Sequence, residues 1–189
     1  MKPLVAAVAA LACCSVAACA MAPLTAPAPS LDSIQTIRAA ALPPMSVGAF
    51  TPAPGRPADM DQVVMARAMT EAAPEGSFAR YLGDSLGAQL KSAGKLDPAS
   101  MLVVSGVITD THLVTQQATS EGRLAARFTL SRAGKVVYDA TLSVSDAWDS
   151  NYLGDVAIPD AFNHYQGLFA KLVQALLSDP AFQAAAKSP

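Results

Sequence analysis

Residues 122–132 read Gly-Arg-Leu-Ala-Ala-Arg-Phe-Thr-Leu-Ser-Arg and alternate between apolar and polar side chains. The apolar members share one face of an extended chain: Leu124, Ala126, Phe128 and Leu130. After Ala133 and Gly134, a second alternating run follows over residues 136–144. Two alternating runs separated by a short turn containing glycine predict an antiparallel hairpin with one buried face and one wet face.

The wet face of this hairpin carries opposite charges. Arg123 and Arg127 lie on the first run, and Asp139 lies on the second among threonine and serine residues. Side chains that face each other across an antiparallel pair interact directly. We therefore expect the arginine and aspartate side chains to compensate one another.

Three further segments are predicted to be strands. Residues 45–50 alternate, and residues 101–115 are rich in β-branched side chains, interrupted by Gly106, which indicates a bulge or a close approach. Residues 63–70 also fit helical spacing, but their β-branched and methionine side chains favour a strand.

Two amphipathic helices are predicted. The first covers residues 77–93, with Ser77 as the N-cap and Gly94 as the stop. The second begins after Pro159 and Asp160, because an aromatic and aliphatic stripe recurs there at helical spacing. It ends before Pro180, since proline disfavours helix in the residue before it. The remaining alanine-rich tail is expected to fray beyond Phe182.

These elements predict an α+β fold. We expect a mainly antiparallel sheet of about five strands, with two amphipathic helices packed on one face, because consecutive strands are set apart from the helices. Residues 43–189 are long enough for a single domain with one core. This domain is predicted to lie in the periplasm because of the amino-terminal residues 1–19.

Residues 1–18 have the layout of a secretory signal peptide. A positive start at Lys2 is followed by an apolar run over residues 4–12 and then by small residues. The run is too short to span a bilayer. The segment is therefore expected to direct export and to be removed.

The end of this leader, Val16-Ala17-Ala18-Cys19, resembles the lipobox of bacterial lipoproteins. The resemblance implies cleavage before Cys19 and lipidation of its thiol with acyl chains such as palmitate. Two or three acyl chains anchor a protein durably, whereas one does so only marginally. One alternative is an ordinary signal peptide without lipidation. The other is lipidation at Cys13, but in Ala10-Leu11-Ala12-Cys13 the leucine stands one position closer to the cysteine than in the lipobox pattern.

Residues 19–42 are predicted to form a tether. They are mostly Ala, Pro, Ser and Thr, and prolines at 23, 27 and 29 favour an extended, semi-rigid backbone. Residues 31–41 could add a helical turn. Cleavage before Cys19 leaves one cysteine, so a disulfide within the mature chain is not expected. The scattered basic residues and the net charge of −2 argue against nucleic acid as a partner.

Few residues are suited to catalysis. Asp110 and His112 share one face of a strand, but no third catalytic group lies near them in the sequence. His164 is read as a polar-face histidine. Oxygen-bearing side chains at short spacing in an acidic loop raise the question of a calcium site, but their spacing departs from the EF-hand pattern. These residues are Asp146, Asp149, Asn151 and Asp155. We expect no metal site, no cofactor and no enzymatic activity.

Trp148 and Tyr152 are the candidate residues of a rim that binds a partner or lipid. If the strand that contains Val144 continues, Trp148 shares the parity of Val144 and packs inward. If the strand ends earlier, Trp148 is an exposed aromatic beside a loop, as is common at interaction sites.

A family resemblance is carried by motifs from the first predicted helix to the chain end: Ser77-Phe78-Ala79-Arg80-Tyr81-Leu82, Val104-Ser105-Gly106, Val137-Tyr138-Asp139, Trp148 and Asp179-Pro180-Ala181-Phe182. In these motifs the chain resembles envelope lipoproteins of the YajG-like kind. Its element order is also similar to the auxiliary lipoproteins of ABC-type lipid-transport systems. The resemblance implies an accessory protein, and Ala20 after Cys19 implies the outer membrane.

Two functions follow as expectations. The first is a non-enzymatic lipoprotein, anchored at the periplasmic face of the outer membrane, whose domain binds another envelope protein. The second is an auxiliary component of an ABC-type lipid-transport system, which would shield an acyl chain between the final helix and the sheet.

Overall fold

The computed structural model describes residues 24–115 and 118–188. This part of the chain contains four α-helices and six strands, in the order α1 Leu31–Ala39, β1 Ser46–Pro52, β2 Val63–Ala66, β3 Met69–Ala72, α2 Phe78–Ser92, β4 Leu102–Val114, β5 Thr119–Arg132, β6 Lys135–Asp149, α3 Gly154–Ser178 and α4 Pro180–Lys187. The α+β class is thereby confirmed.

The main sheet has four strands in the order β1-β4-β5-β6. The predicted hairpin is β5 and β6, which pair antiparallel with Phe128 opposite Ala140 and Leu124 opposite Val144. On the open face, the guanidinium of Arg127 donates two hydrogen bonds to the carboxylate of Asp139. These bonds hold the pKa of Asp139 below its usual value. The expected charge compensation is confirmed for Arg127, whereas Arg123 pairs with Asp110 of β4 instead.

The expectation of a mainly antiparallel sheet of five strands is wrong in two details. Strand β1 pairs parallel to β4, because the chain crosses over through α2 before it returns to the sheet. The predicted strand over 63–70 is the separate hairpin β2–β3, in which Arg67 turns the chain with a φ of 55°. The main sheet is therefore mixed and has four strands.

Residues 24–115 and 118–188 contain four α-helices, where the sequence predicts two. Helix α2 begins after its N-cap Ser77, whose side chain accepts a hydrogen bond from the N–H of Arg80. Helix α3 begins at Gly154, so Pro159 lies inside the helix and not at its start. The tail after Asp179 does not fray. It forms α4, with Asp179 as the N-cap and Phe182 fully buried.

The described part of the predicted tether packs onto the domain, and that prediction is corrected for residues 24–42. Helix α1 buries Ile37, and the segment after it buries Leu42. Before α1, the chain runs along α2, where the hydroxyl of Tyr81 donates to the carbonyl of Thr25 at 3.0 Å. Gln89 accepts from the N–H of Ser30 at 2.8 Å. Spaced apolar side chains and these polar contacts offset the entropy of ordering the segment.

The core lies between one face of the sheet and helices α2 and α3. Phe78, Tyr81, Tyr165 and Phe169 form an aromatic cluster there, with ring centroids 5.0–5.9 Å apart. Burial raises the pKa of Tyr165. None of the helices within the described ranges is both long and apolar enough to cross a bilayer.

Candidate functional site

A groove of about 750 Å³ runs between strand β1 and helix α2. Its apolar side is formed by Val47, Phe50 and Leu96, and charged side chains of α2 also line it: Arg80, Asp84 and Lys91. Gly83 and Gly87 lie four residues apart on α2 and line the groove between those charges. Because Gly87 has no side chain, the space beside β1 stays open at that point, where the nearest side-chain atom to an added Cβ would be Val47 Cγ2 at 4.0 Å.

Phe50 is fixed at the side of this groove by two close approaches. A Cβ atom on Gly106 of β4 would lie 2.4 Å from Cε1 of Phe50, and one on Gly83 would lie 2.9 Å from Cδ2. Both distances are shorter than carbon atoms tolerate, so the ring occupies the space that these glycines leave. Gly106 was expected to mark a bulge or a close approach. It marks the close approach, and the β4 bulge lies between Ile108 and Asp110.

Strand β1 presents an unpaired edge to the groove. Among the described residues, its sheet partner is β4 alone. The loop before β4 pairs with Met45, through bonds of 2.9 Å from Met45 N to Lys95 O and 3.0 Å from Asp97 N to Met45 O. Beyond that point, the five residues 46–50 all line the groove. Exposed strand edges offer backbone donors and acceptors to a further strand.

The ionisable side chains that line the groove all lie on helix α2. Burial, and then the nearby charge of Glu75, raise the pKa of Asp84. Arg80 pairs with Glu75 at 3.2 Å on the exposed surface. The described residues that line the groove include two serines but no histidine that could activate them.

Asp110 pairs with two arginines in this structure, and no hydrogen bond joins it to His112. Both oxygens of Asp110 are bound by arginines, Arg56 at 3.3 Å and Arg123 at 2.7 Å. His112 is exposed and borders a small cavity of about 190 Å³ near the β2 strand. The two ion pairs give Asp110 a structural role.

Trp148 packs inward, because β6 extends to Asp149. Its indole lies flat on the imidazole of His164 from α3, with ring centroids 4.2 Å apart and an angle of 3° between the planes. Asp146 lies 2.8 Å from Nδ1 of His164 and 2.8 Å from Nζ of Lys171. Hydrogen bonds from Lys171 and then from His164 lower the pKa of Asp146. This cluster joins β6 to α3.

The acidic loop of the sequence analysis is therefore divided among three elements. Asp146 and Asp149 belong to β6, Asn151 lies in the loop, and Asp155 stands in the first turn of α3. Within the described residues, no group of three His, Cys, Asp or Glu side chains is arranged to hold a metal ion.

Tyr152 is 95% exposed, whereas Trp148 is only partly exposed. The structure therefore does not bring these two residues into one pocket, and their role in binding stays a prediction. Cys19 lies outside the described residues. The groove was missed from the sequence, and the one available signal was the pair of glycines four residues apart in a helix.

Comparison with known proteins shows a similar fold. The chain is similar to a Xanthomonas campestris protein of family DUF330, with a TM-score of 0.52 and 12% identity over 76% of this chain and 85% of that one. A Caulobacter crescentus protein provisionally named a lipoprotein scores 0.48 at 13% identity, over 83% and 98%. A minor lipoprotein from Acinetobacter baumannii scores 0.43 at 11% identity, over 75% and 94%. No protein-family model and no curated protein matches the chain.

Proposed function

We propose that this chain is a lipid-anchored lipoprotein of the cell envelope whose domain is a non-enzymatic binding module. The groove beside β1 is its binding site, and the ligand is an extended segment of another envelope protein. The observation that carries this proposal is the unpaired edge of β1 along a groove of about 750 Å³.

The anchor is supported by residues 16–19. Their lipobox pattern implies that Cys19 becomes the lipidated amino terminus, and Ala20 favours the outer membrane. With two or three acyl chains the attachment is durable. The domain then faces the periplasm and has access to other envelope proteins.

The geometry of the groove favours an extended peptide. A strand added to β1 would gain main-chain hydrogen bonds, and alternate side chains would point toward the apolar side at Val47 and Phe50. The opposite wall carries charges of both signs, at Arg80, Asp84 and Lys91. Main-chain bonding supplies affinity in such complexes, and the pockets supply specificity.

A matched pair of glycine variants tests the site. Gly87→Leu places a side chain in the groove, since a Cβ atom there meets nothing closer than Val47 Cγ2 at 4.0 Å. Gly167→Leu in α3 is the control, because its Cβ atom meets nothing within 4 Å. Both changes replace a helical glycine with a better helix former, so neither is expected to destabilise the fold.

The readout is photo-crosslinking in living cells from a probe at Ala49, which is exposed and lines the groove. We expect crosslinks to one envelope protein in the parent and in Gly167→Leu, and their loss in Gly87→Leu. Cys19→Ala serves as the unanchored control. Equal crosslinking in the two glycine variants would overturn the groove as the binding site.

The second candidate is an auxiliary protein of ABC-type lipid transport, and the apolar wall of the same groove favours it. The space between α3 and the sheet does not favour it, because the α3 side chains there are fully buried: Leu168, Leu172 and Leu176. An acyl chain could enter only by displacing them. The test compares Cys19→Ala protein with the double variant Cys19→Ala and Gly87→Leu, so that neither carries the anchor. Lipid that co-purifies with the first protein and is lost in the second would support this candidate over peptide binding.

A further inference from the structure

We propose that one end of the domain rests on the membrane surface, with its apolar side chains inserted among the phospholipids. This apolar end is formed by the β2–β3 hairpin and by the loop and first turn of α3: Val63 and Met65 on the outer face of the hairpin, Met69 at its tip, and Tyr152, Leu153 and Val156. The proposal rests on the lipid anchor of the proposed function.

The exposed apolar side chains are concentrated at this end. Ten large apolar side chains are exposed in the described chain, and six of them belong to the apolar end. Met65 is 59% exposed, Leu153 is 63% exposed and Tyr152 is 95% exposed. Single exposed apolar residues are normal, so their concentration at one end of the domain is the feature that needs an explanation.

Arg67 joins the two parts of the apolar end into one surface. At the hairpin turn, its guanidinium donates to the carbonyl oxygens of Asn151 and Tyr152 and to the hydroxyl of Ser150. Its backbone N–H donates to the hydroxyl of Thr115 at 2.8 Å. The hairpin tip and the loop are thereby held side by side.

The amino-terminal end of the described chain lies on the same hairpin. The backbone N–H of Leu24 donates a hydrogen bond to the carboxylate of Glu71. Burial raises the pKa of Glu71, and this hydrogen bond partly opposes that rise. Glu71 of β3 pairs with Val64 of β2, the neighbour of Met65. Cys19 precedes Leu24 by five residues, which span at most roughly 18 Å when fully extended. The anchor therefore holds the hairpin close to the bilayer surface.

The chemistry of the apolar end favours a lipid surface without net charge. Asp149 and Asp155 flank the loop, and the one arginine at its centre is engaged by the loop itself. Attraction to anionic lipid therefore contributes little. Tyrosine and aliphatic side chains insert at the boundary between headgroups and acyl chains. The occupant is a zwitterionic phospholipid surface, held by apolar contact.

The test uses the full-length lipidated protein in vesicles of zwitterionic phosphatidylcholine with brominated acyl chains. Trp148 is the single tryptophan, so Trp148→Phe provides a background without indole fluorescence. Tyr152→Trp then reports on the apolar end. Met101→Trp is the control, because Met101 is also exposed but lies just before the start of β4. The hairpin lies at the other end of β4, where Leu113 packs against it. The 13 residues of β4 separate the two ends by roughly 40 Å.

We expect bromine to quench the fluorescence at position 152 at least about twofold and to leave position 101 unchanged. Equal fluorescence at both positions would overturn the docking. If position 152 is shielded from solvent in whole envelopes but is not quenched in vesicles, the docking on lipid is also overturned. The surface is then assigned to a protein partner.

Failure of the anchor is measured separately. The intact mass of the same preparation shows whether Cys19 carries lipid. If Cys19 carries no lipid, the unlipidated parent chain and the double variant Met65→Ser and Leu153→Ser are each sedimented with excess vesicles, and the two bound fractions are compared. Docking then predicts about a tenfold weaker association for the variant, and equal association would contradict docking whatever the state of Cys19.

Discussion

The guanidinium of Arg67 at the β2–β3 turn donates a hydrogen bond to the carbonyl oxygen of Tyr152 in the loop before α3. These residues are 85 positions apart in the chain. The contact explains how a short hairpin outside the main sheet keeps a defined position. It also holds the most exposed aromatic side chain of the described domain beside the hairpin.

Arg67→Ala is expected to release this loop. It removes the side-chain hydrogen bonds to residues 150–152, so we predict a loss of about 1 kcal/mol in the free energy of unfolding. Amide exchange at Leu153 should accelerate more than exchange in β5. Arg80→Ala removes the same charge and an exposed ion pair with Glu75, and should change stability by less than about 0.5 kcal/mol. Equal losses in the two variants would contradict the role of Arg67.

Gly106→Ala tests the packing of Phe50. Its new methyl group would lie 2.4 Å from the Phe50 ring, and overpacking of this kind costs about 1–3 kcal/mol. Phe50→Leu should recover part of that loss when it is combined with Gly106→Ala. Denaturant unfolding of both single variants and the double variant gives the coupling energy. Strictly additive losses would show that the ring is not the group that excludes a side chain at position 106.

Ile37→Ala tests whether helix α1 belongs to the domain. Ile37 is fully buried, so its truncation is expected to lower the free energy of unfolding by about 2–5 kcal/mol. Leu31→Ala in the same helix is the control, because Leu31 is largely exposed. Thermal or denaturant unfolding measures both. If the segment were a free tether, the two substitutions would be equally neutral.

The pH dependence of stability tests the cluster around Asp146. Its folded-state pKa is lowered by Lys171 and His164 from an ordinary value of 3.8. A lowered pKa stabilises the fold above the unfolded value, and this contribution is lost as the pH falls through the folded value. The stability difference between the parent and Asp146→Asn should therefore be constant near neutral pH and shrink below about pH 4.

Asp149→Asn, at the exposed end of the same strand, is the matched control for this experiment. Its stability difference from the parent should stay small at every pH. Denaturant unfolding from pH 7 to pH 2.5 supplies the curves. A difference for Asp146→Asn that does not change with pH would contradict the assigned ion pairs.

Local patterns in the sequence carried much of the fold. Most of the hairpin β5–β6 has a period of two, and α2 has both an N-cap at Ser77 and a stop at Gly94, so each is recognised without tertiary information. The parallel pairing of β1 with β4 has no such signal, because it depends on the crossover through α2. Proline and alanine in residues 24–42 concealed the spacing of Ile37 and Leu42, which are buried only because α2 and α3 provide a surface for them.

The candidate site was less accessible to prediction. The groove depends on Phe50, Gly83 and Gly106, which belong to three different elements and meet only in the folded chain. Of the two alternatives for Trp148, the inward one is observed because β6 continues to Asp149, and the proposed rim role stays a prediction. Its partner His164 could not be identified, since no local pattern relates residues of β6 to residues of α3.

Lipidation of Cys19 is the premise of both the proposed anchor and the proposed docking on the membrane. The measurement is the intact mass of the full-length protein, purified with detergent from bacterial membranes and compared with Cys19→Ala. We predict a chain that begins at Cys19 and carries a diacylglyceryl group and a third acyl chain, and a variant that lacks them. A mature chain that begins at another residue, or an unmodified Cys19, would contradict the account.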